Sequence, residues 1–261
     1  MRAFFLATIF ILLRSLAFAQ ATTDELRTLA YAGDYEALEA TFAEAHQQSL
    51  RSEISFSQLR GMVIALTVTH PTILETTDNW LEAYPTSPYA NALRAFQYRM
   101  IGWQIRGEKS ARQTPRTAMQ AFNAYVEAGM DHAQIAYDAG PDFVPASDAV
   151  FRLQRSTKRL NRRDYFRVIE HAMAVTPSLG TLMRAAGIAN PRWGGRGQAD
   201  IILLCRQYAD SVSDIDDYTF EVCHAHLTSD VGGANDAEMQ MVWDQLNGQH
   251  HPTLTSIFII R

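Results

Sequence analysis

Gly33-Asp34 opens onto Tyr35 to Leu50, YEALEATFAEAHQQSL, in which Leu38, Phe42 and Ala45 recur at steps of four and three. That spacing lines apolar side chains along one face of a 3.6-residue helix. Upstream, Thr23 followed by Glu25 and Leu26 marks a helix start, so Gly33-Asp34 reads as the reversal between two helices. The same pattern recurs outward along the chain. It predicts helices over Ser57–Thr69, Thr72–Tyr84, Pro88–Arg106, Arg116–Ala139, Ala146–Leu160, Arg163–Val175, Ser178–Ile188, Gln198–Val212, Asp217–Leu227 and Ala234–Leu246. Turn breakers separate them: Pro85-Thr86-Ser87-Pro88, Gly140-Pro141, Thr176-Pro177, Gly194-Gly195 and Gly232-Gly233. Alternating β-branched runs are nearly absent. The apolar tail Leu254 to Ile260 is expected to dock on the core.

Three places carry offsets of the tetratricopeptide hairpin. Gly33, Tyr35, Phe42 and Ala45 form the first. Pro85 with Ala95, Tyr98 and Gly102 forms the second, and Ala172 with Pro177 the third. The expected fold is all-α: degenerate tetratricopeptide-like antiparallel hairpins stacked in a compact α/α superhelix. Leu38 stands where that repeat prefers Ala, and Trp103 continues a helix where the repeat would turn. Both departures point to globular packing instead of a long open solenoid.

The loop Asn190-Pro191-Arg192-Trp193-Gly194-Gly195 joins two of these helices. With Gly33-Asp34-Tyr35, the Trp80-Leu81…Pro85 helix end and the Trp103…Arg106-Gly107 segment, it resembles a bacterial family of unknown function with tetratricopeptide-like hairpins. The resemblance spans roughly residues 24 to 212. It implies a helical-repeat fold and carries no activity, cofactor or catalytic residue with it.

The N-terminus supplies a compartment. Met1-Arg2 is followed by an apolar run, Ala3 to Leu13, and then by Ala17-Phe18-Ala19. Small residues at those positions suit cleavage before Gln20. The run is too short to cross a bilayer, which takes about 20 residues. Residues 1–19 are therefore read as a signal peptide and 20–261 as a single helical domain, periplasmic or secreted and without a transmembrane anchor.

At 47% hydrophobic residues the chain can bury a substantial core. Its formal charge is −5, and losing Arg2 and Arg14 with the signal makes the mature chain more acidic still. An acidic chain with no long basic run is a poor match for nucleic acid. The strongest charge feature is a stripe of Arg152, Arg155, Lys158, Arg159, Arg162 and Arg163 at steps of three and four. Its functional reading is a site for an anionic partner, such as an acidic protein segment or lipid headgroups; the alternative is a solvated face paired with nearby Asp and Glu.

Two cysteines, Cys205 and Cys223, are expected to form a disulfide in an oxidising compartment. Each lies nine residues from Asp214, the centre of the predicted turn, so an antiparallel pair of helices would bring them level. Cys223-His224-x-His226, with His250-His251, has no helical spacing that converges on a metal, and no metal or cofactor is expected. Asp214, Asp216 and Asp217 lack the Gly and distal Glu of a calcium loop and read as a helix N-terminus. Signature motifs of hydrolases, zinc proteases and nucleotide enzymes are absent. The expected function is a non-catalytic protein- or peptide-binding module of the cell envelope. The alternative is an envelope hydrolase with an acidic pair, or a Cys-His dyad, assembled by folding.

Overall fold

The computed structural model describes residues 23–191 and 195–230. These residues form eleven α-helices and no strand. They run α1 (Thr23–Ala32), α2 (Tyr35–Leu50), α3 (Phe56–Leu66), α4 (Pro71–Ala83), α5 (Pro88–Arg106) and α6 (Arg116–Ala139). They continue α7 (Val144–Thr157), α8 (Arg162–Val175), α9 (Leu179–Ala186), α10 (Gln198–Tyr208) and α11 (Phe220–Asp230). Short 3₁₀ turns follow α9 and α10.

Local chemistry explains the starts. The Asp34 side chain accepts from the Ala37 N–H and caps α2. Ser55 and Gln58 form a reciprocal capping box on α3. Pro71 and Pro88 occupy the first turns of α4 and α5, where a missing N–H costs nothing. α5 and α6 are the long central pair. Gly102 lies against Phe122 and Tyr125, whereas Gly129 lies against Ala95 and Tyr98, so the register falls on one helix as it rises on the other. The pair is antiparallel. Gly129 permits close approach: a Cβ there would stand 3.2 Å from Leu153 and 3.3 Å from the Ala95 carbonyl oxygen.

α7 packs on this pair and is the most enclosed helix. Every residue from Val144 to Phe151 is buried, Asp148 included. Two apolar clusters flank it. One gathers Leu26, Leu38, Phe42, Leu59, Leu66, Trp80 and Tyr89 from α1–α5, with Phe143 just ahead of α7. The other gathers Val126, Met130, Phe151, Tyr165, Leu182, Leu204 and Leu227 from α6–α11. Buried polar groups tie α5 to its neighbours. Arg94 pairs with Asp78 and donates to the Leu74 carbonyl, and Gln97 donates to Thr77 and to the Leu66 carbonyl.

The expected all-α class holds, and Trp103 does continue α5 to Arg106. Three boundaries shift for visible reasons. α7 starts earlier, with Pro145 in its first turn, and ends earlier, because Lys158 turns left-handed at φ +52. α11 starts after Asp217, itself at φ +54. The signal segment, the Trp193-Gly194 pair, the helix read over Ala234–Leu246, His250-His251 and the apolar tail lie outside the described residues.

Candidate anion-binding site

Asp148 is the seed of the site. It sits on α7, 1% exposed, where an ionised carboxylate must be paired. Three guanidinium groups supply that pairing. Arg60 of α3 reaches Oδ2 at 3.1 Å; Arg152, one turn along α7, reaches Oδ1 at 3.2 Å; and Arg184 of α9 reaches Oδ1 at 3.1 Å. Arg184 also lies over the Phe56 ring, its Cζ 4.7 Å from the centroid. Stacked on one side and paired on the other, it is held in place.

Around this ion cluster is a pocket of about 240 Å³ lined by Arg99, Arg152, Arg155, Gly180, Met183 and Arg184. α5, α7 and α9 each contribute an arginine. Arg155 donates from Nη2 to the Arg184 carbonyl at 3.2 Å, which ties α7 to the end of α9. Gly187 makes room for it: a Cβ at that position would overlap the Arg155 guanidinium.

The pocket carries more positive charge than the protein neutralises. Five arginines meet here; Asp148 is the carboxylate paired with three of them, and Asp214 is close enough to act on Arg184. Each guanidinium offers five N–H donors. Arg152 and Arg184 each direct Nε to Asp148, and Arg155 spends one N–H on a carbonyl, whereas no hydrogen bond from Arg99 is made among the described residues. Buried Nε of Arg99, buried Nε of Arg155 and buried Nη2 of Arg184 have no partner there. Burial, with Arg152 and Arg155 close by, pulls the Arg99 guanidinium down to about 10. Burial likewise lowers Arg184, against the opposing pull of Asp148. Arg99 remains cationic at neutral pH.

The stripe predicted from sequence divides here. Arg152 and Arg155 enter the pocket. Beyond the left-handed Lys158 the chain changes direction, and the remaining residues serve elsewhere. Arg159 pairs with Asp131 at the surface, Arg162 pairs with the fully buried Asp200 of α10, and Arg163 is exposed. Arg99, Arg184, Arg60 and Asp148 were not anticipated. One local signal was available: Asp148 precedes Arg152 by four residues, the spacing of a helical ion pair. The others come from distant helices.

Other candidates resolve differently. Cys205 and Cys223 face each other at disulfide-bonding distance, Cα to Cα 5.6 Å. Neither cysteine is therefore placed as the free thiol of a Cys-His dyad. His224 meets Gln198 at 2.8 Å, and no group of metal-binding side chains occurs among the described residues. Asp214, expected at the start of its own following helix, instead accepts from the Leu179 N–H at 2.8 Å in the first turn of α9, whose N-cap is Ser178. The start of α11 is served by Thr219.

A family model for a domain of unknown function matches residues 22–169, more than half of the chain. The chain belongs to that family, DUF4034. The DUF4034 match contains Arg60, Arg99, Asp148, Arg152 and Arg155, while Arg184 lies beyond its end. The Pro-Arg-Trp-Gly-Gly loop also falls outside it, so the family match is shorter than the resemblance read from sequence. Neither curated proteins nor solved structures gave a match.

Proposed function

We propose that this chain is an exported, non-catalytic binding module of the cell envelope, built of degenerate tetratricopeptide-like hairpins. In this reading it takes an anionic protein or peptide partner at the arginine pocket. One observation carries it: four arginines from three helices line a pocket, and among the described residues Asp148 is the one carboxylate paired with any of them. Structural ion clusters tend toward neutrality, because uncompensated buried charge is expensive. A lasting excess of guanidinium groups in an acidic protein is what an anion site requires.

Two measurements test this. Intact-mass analysis of envelope fractions is expected to find a chain beginning at Gln20; a chain retaining Met1 to Ala19 would remove the export reading. Partner capture from envelope extract by the immobilised mature chain is expected to fall with salt. It is also expected to fail with the Arg99→Gln/Arg155→Gln double variant. Capture indifferent to both salt and the double variant would remove the pocket from the function.

A further inference from the structure

The arginine pocket also constrains what its ligand is made of, given that it binds an anion as proposed above. At about 240 Å³ it lies just below the roughly 300–1,000 Å³ of pockets that enclose a whole small molecule. It suits one charged group, not an extended ligand. A lone carboxylate has two oxygens and is satisfied by one guanidinium fork. This site already holds such a carboxylate, Asp148, and its three arginine partners absorb it without neutralising the cluster. What is left is an excess of several positive charges, with donors that converge from α5, α7 and α9. Arg99 has every donor uncommitted among the described residues, Arg155 has one committed, and Arg152 and Arg184 have only Nε committed to Asp148.

We infer that the pocket is a receptor for a phosphoryl-type dianion, a phosphate monoester carried by the partner, and not for a single carboxylate. Such a group brings about two negative charges and three acceptor oxygens. That gives one oxygen for each helix contributing an arginine. Arg99 and Arg155 gain most, because neither forms an ion pair with a carboxylate among the described residues, whereas Arg152 and Arg184 pair with Asp148.

The test uses the mature chain, residues 20–261, and isothermal titration at constant ionic strength. The probes are O-phosphoserine, inorganic phosphate, a phosphoserine peptide and glutamate. Phosphoserine is expected to bind at least about tenfold more tightly than glutamate. Its affinity should rise between pH 5 and pH 8, as its second proton leaves near pH 6. The pocket-lining side chains include no histidine, so that rise belongs to the ligand. Arg99→Gln and Arg155→Gln should each weaken phosphoserine about tenfold or more. Arg167→Gln, an exposed arginine paired with Asp164 on α8, should leave it unchanged. A peptide binding more tightly than inorganic phosphate supports a partner-borne ester; equal binding overturns that source in favour of free phosphate. The wild-type comparison needs no variant to fold. Glutamate binding as tightly as phosphoserine, or a flat pH profile, overturns the dianion inference while leaving an anion pocket. No binding of any anion overturns both readings.

Discussion

The aromatic cluster of the first helices and the arginine pocket beside α7 fill the space between helices in opposite ways. In the first, that space is filled with rings. Phe42 lies 5.8 Å from Trp80 and 5.7 Å from Tyr89, and Tyr89 meets Phe143 edge-on at 4.9 Å. The one carboxylate drawn in, Glu39, is held by the Trp80 Nε1–H at 2.7 Å. Burial raises its pKa and pushes the Tyr89 hydroxyl up to about 12. Beside α7, Arg99, Arg152, Arg155 and Arg184 line a cavity, and like charges face one another across it. Filling with rings is how a hairpin stack becomes stable. Leaving cations unfilled spends stability on something else, and that contrast is the argument for a site.

The contrast breaks most sharply on paired substitutions. Trp80→Ala should cost about 3–5 kcal/mol, the usual range for deleting a fully buried aromatic. Asp148→Asn should cost about 3 kcal/mol. That is the low end for breaking a buried ion pair, because Arg60, Arg152 and Arg184 retain 30%, 27% and 17% exposure. Urea unfolding at two ionic strengths separates the mechanisms. Repulsion among the arginines is screened as the Debye length falls from about 10 Å at 0.1 M salt to 3 Å at 1 M. The Asp148→Asn penalty should therefore shrink with salt, and the Trp80→Ala penalty should not. Equal salt response in both would erase the distinction between the two regions.

Next in size is the link between α10 and α11. Cys205 and Cys223 are separated by 18 residues, and closing a loop of that order stabilises by about 3 kcal/mol in the chain-entropy model. The double variant Cys205→Ala/Cys223→Ala should lose that much, with little change in anion binding, since neither residue lines the pocket. Thiol titration of the unfolded, unreduced mature chain should find no free thiol; two would remove the bridge.

Acid should expose the aromatic cluster before the arginine pocket. Burial lowers the pKa of His46, which is enclosed by Tyr89 and Phe143. A lowered folded value means the native state resists a proton that the unfolded chain accepts. His46 therefore contributes stability above its ordinary value of 6.5, and that contribution is lost as pH falls through the lowered folded value. Glu39 runs the other way: its raised folded value contributes stability below 4.5 that is lost as pH rises through it. Thermal melts from pH 7 to pH 5 should show a decline that His46→Leu reduces. A decline identical in the variant would assign the acid sensitivity elsewhere, with His132, also lowered by burial, the next group to test.

Much of the fold was legible because its punctuation is local. α2 and α5 begin where Gly33-Asp34 and Ser87-Pro88 say they should, and α6 ends at Gly140. The pocket was half legible. Arg152 and Arg155 stand out at a step of three, but the reading carried on through Lys158 as though the helix did, and so gathered Arg159, Arg162 and Arg163, which belong to other contacts. Spacing along one helix cannot place Arg99 or Arg184. They reach the site only because α5 and α9 pack on α7, a long-range fact. Asp148 looked like one more acidic residue until its burial made it the counter-charge.

The smallest expected change in stability is the most specific test of the pocket. Gly187 has φ −56, a conformation open to any residue, so Gly187→Ala carries no backbone strain and trims unfolded-state entropy by about 0.4–1 kcal/mol. Against that stands the new methyl group, which would overlap the Arg155 guanidinium. A long flexible side chain yields more readily than a backbone does, so Arg155 moves and the helix stays. Its hydrogen bond to the Arg184 carbonyl is lost at a cost of about 1 kcal/mol, which nearly offsets the backbone gain. Stability should therefore change by less than about 1 kcal/mol. Anion binding depends on where the Arg155 fork points and should weaken severalfold. Calorimetric binding and urea unfolding on the same preparation check both halves of this expectation. Unchanged binding with unchanged stability would mean that the position of Arg155 is immaterial, and the arginine pocket would then differ from the aromatic cluster only in what fills it.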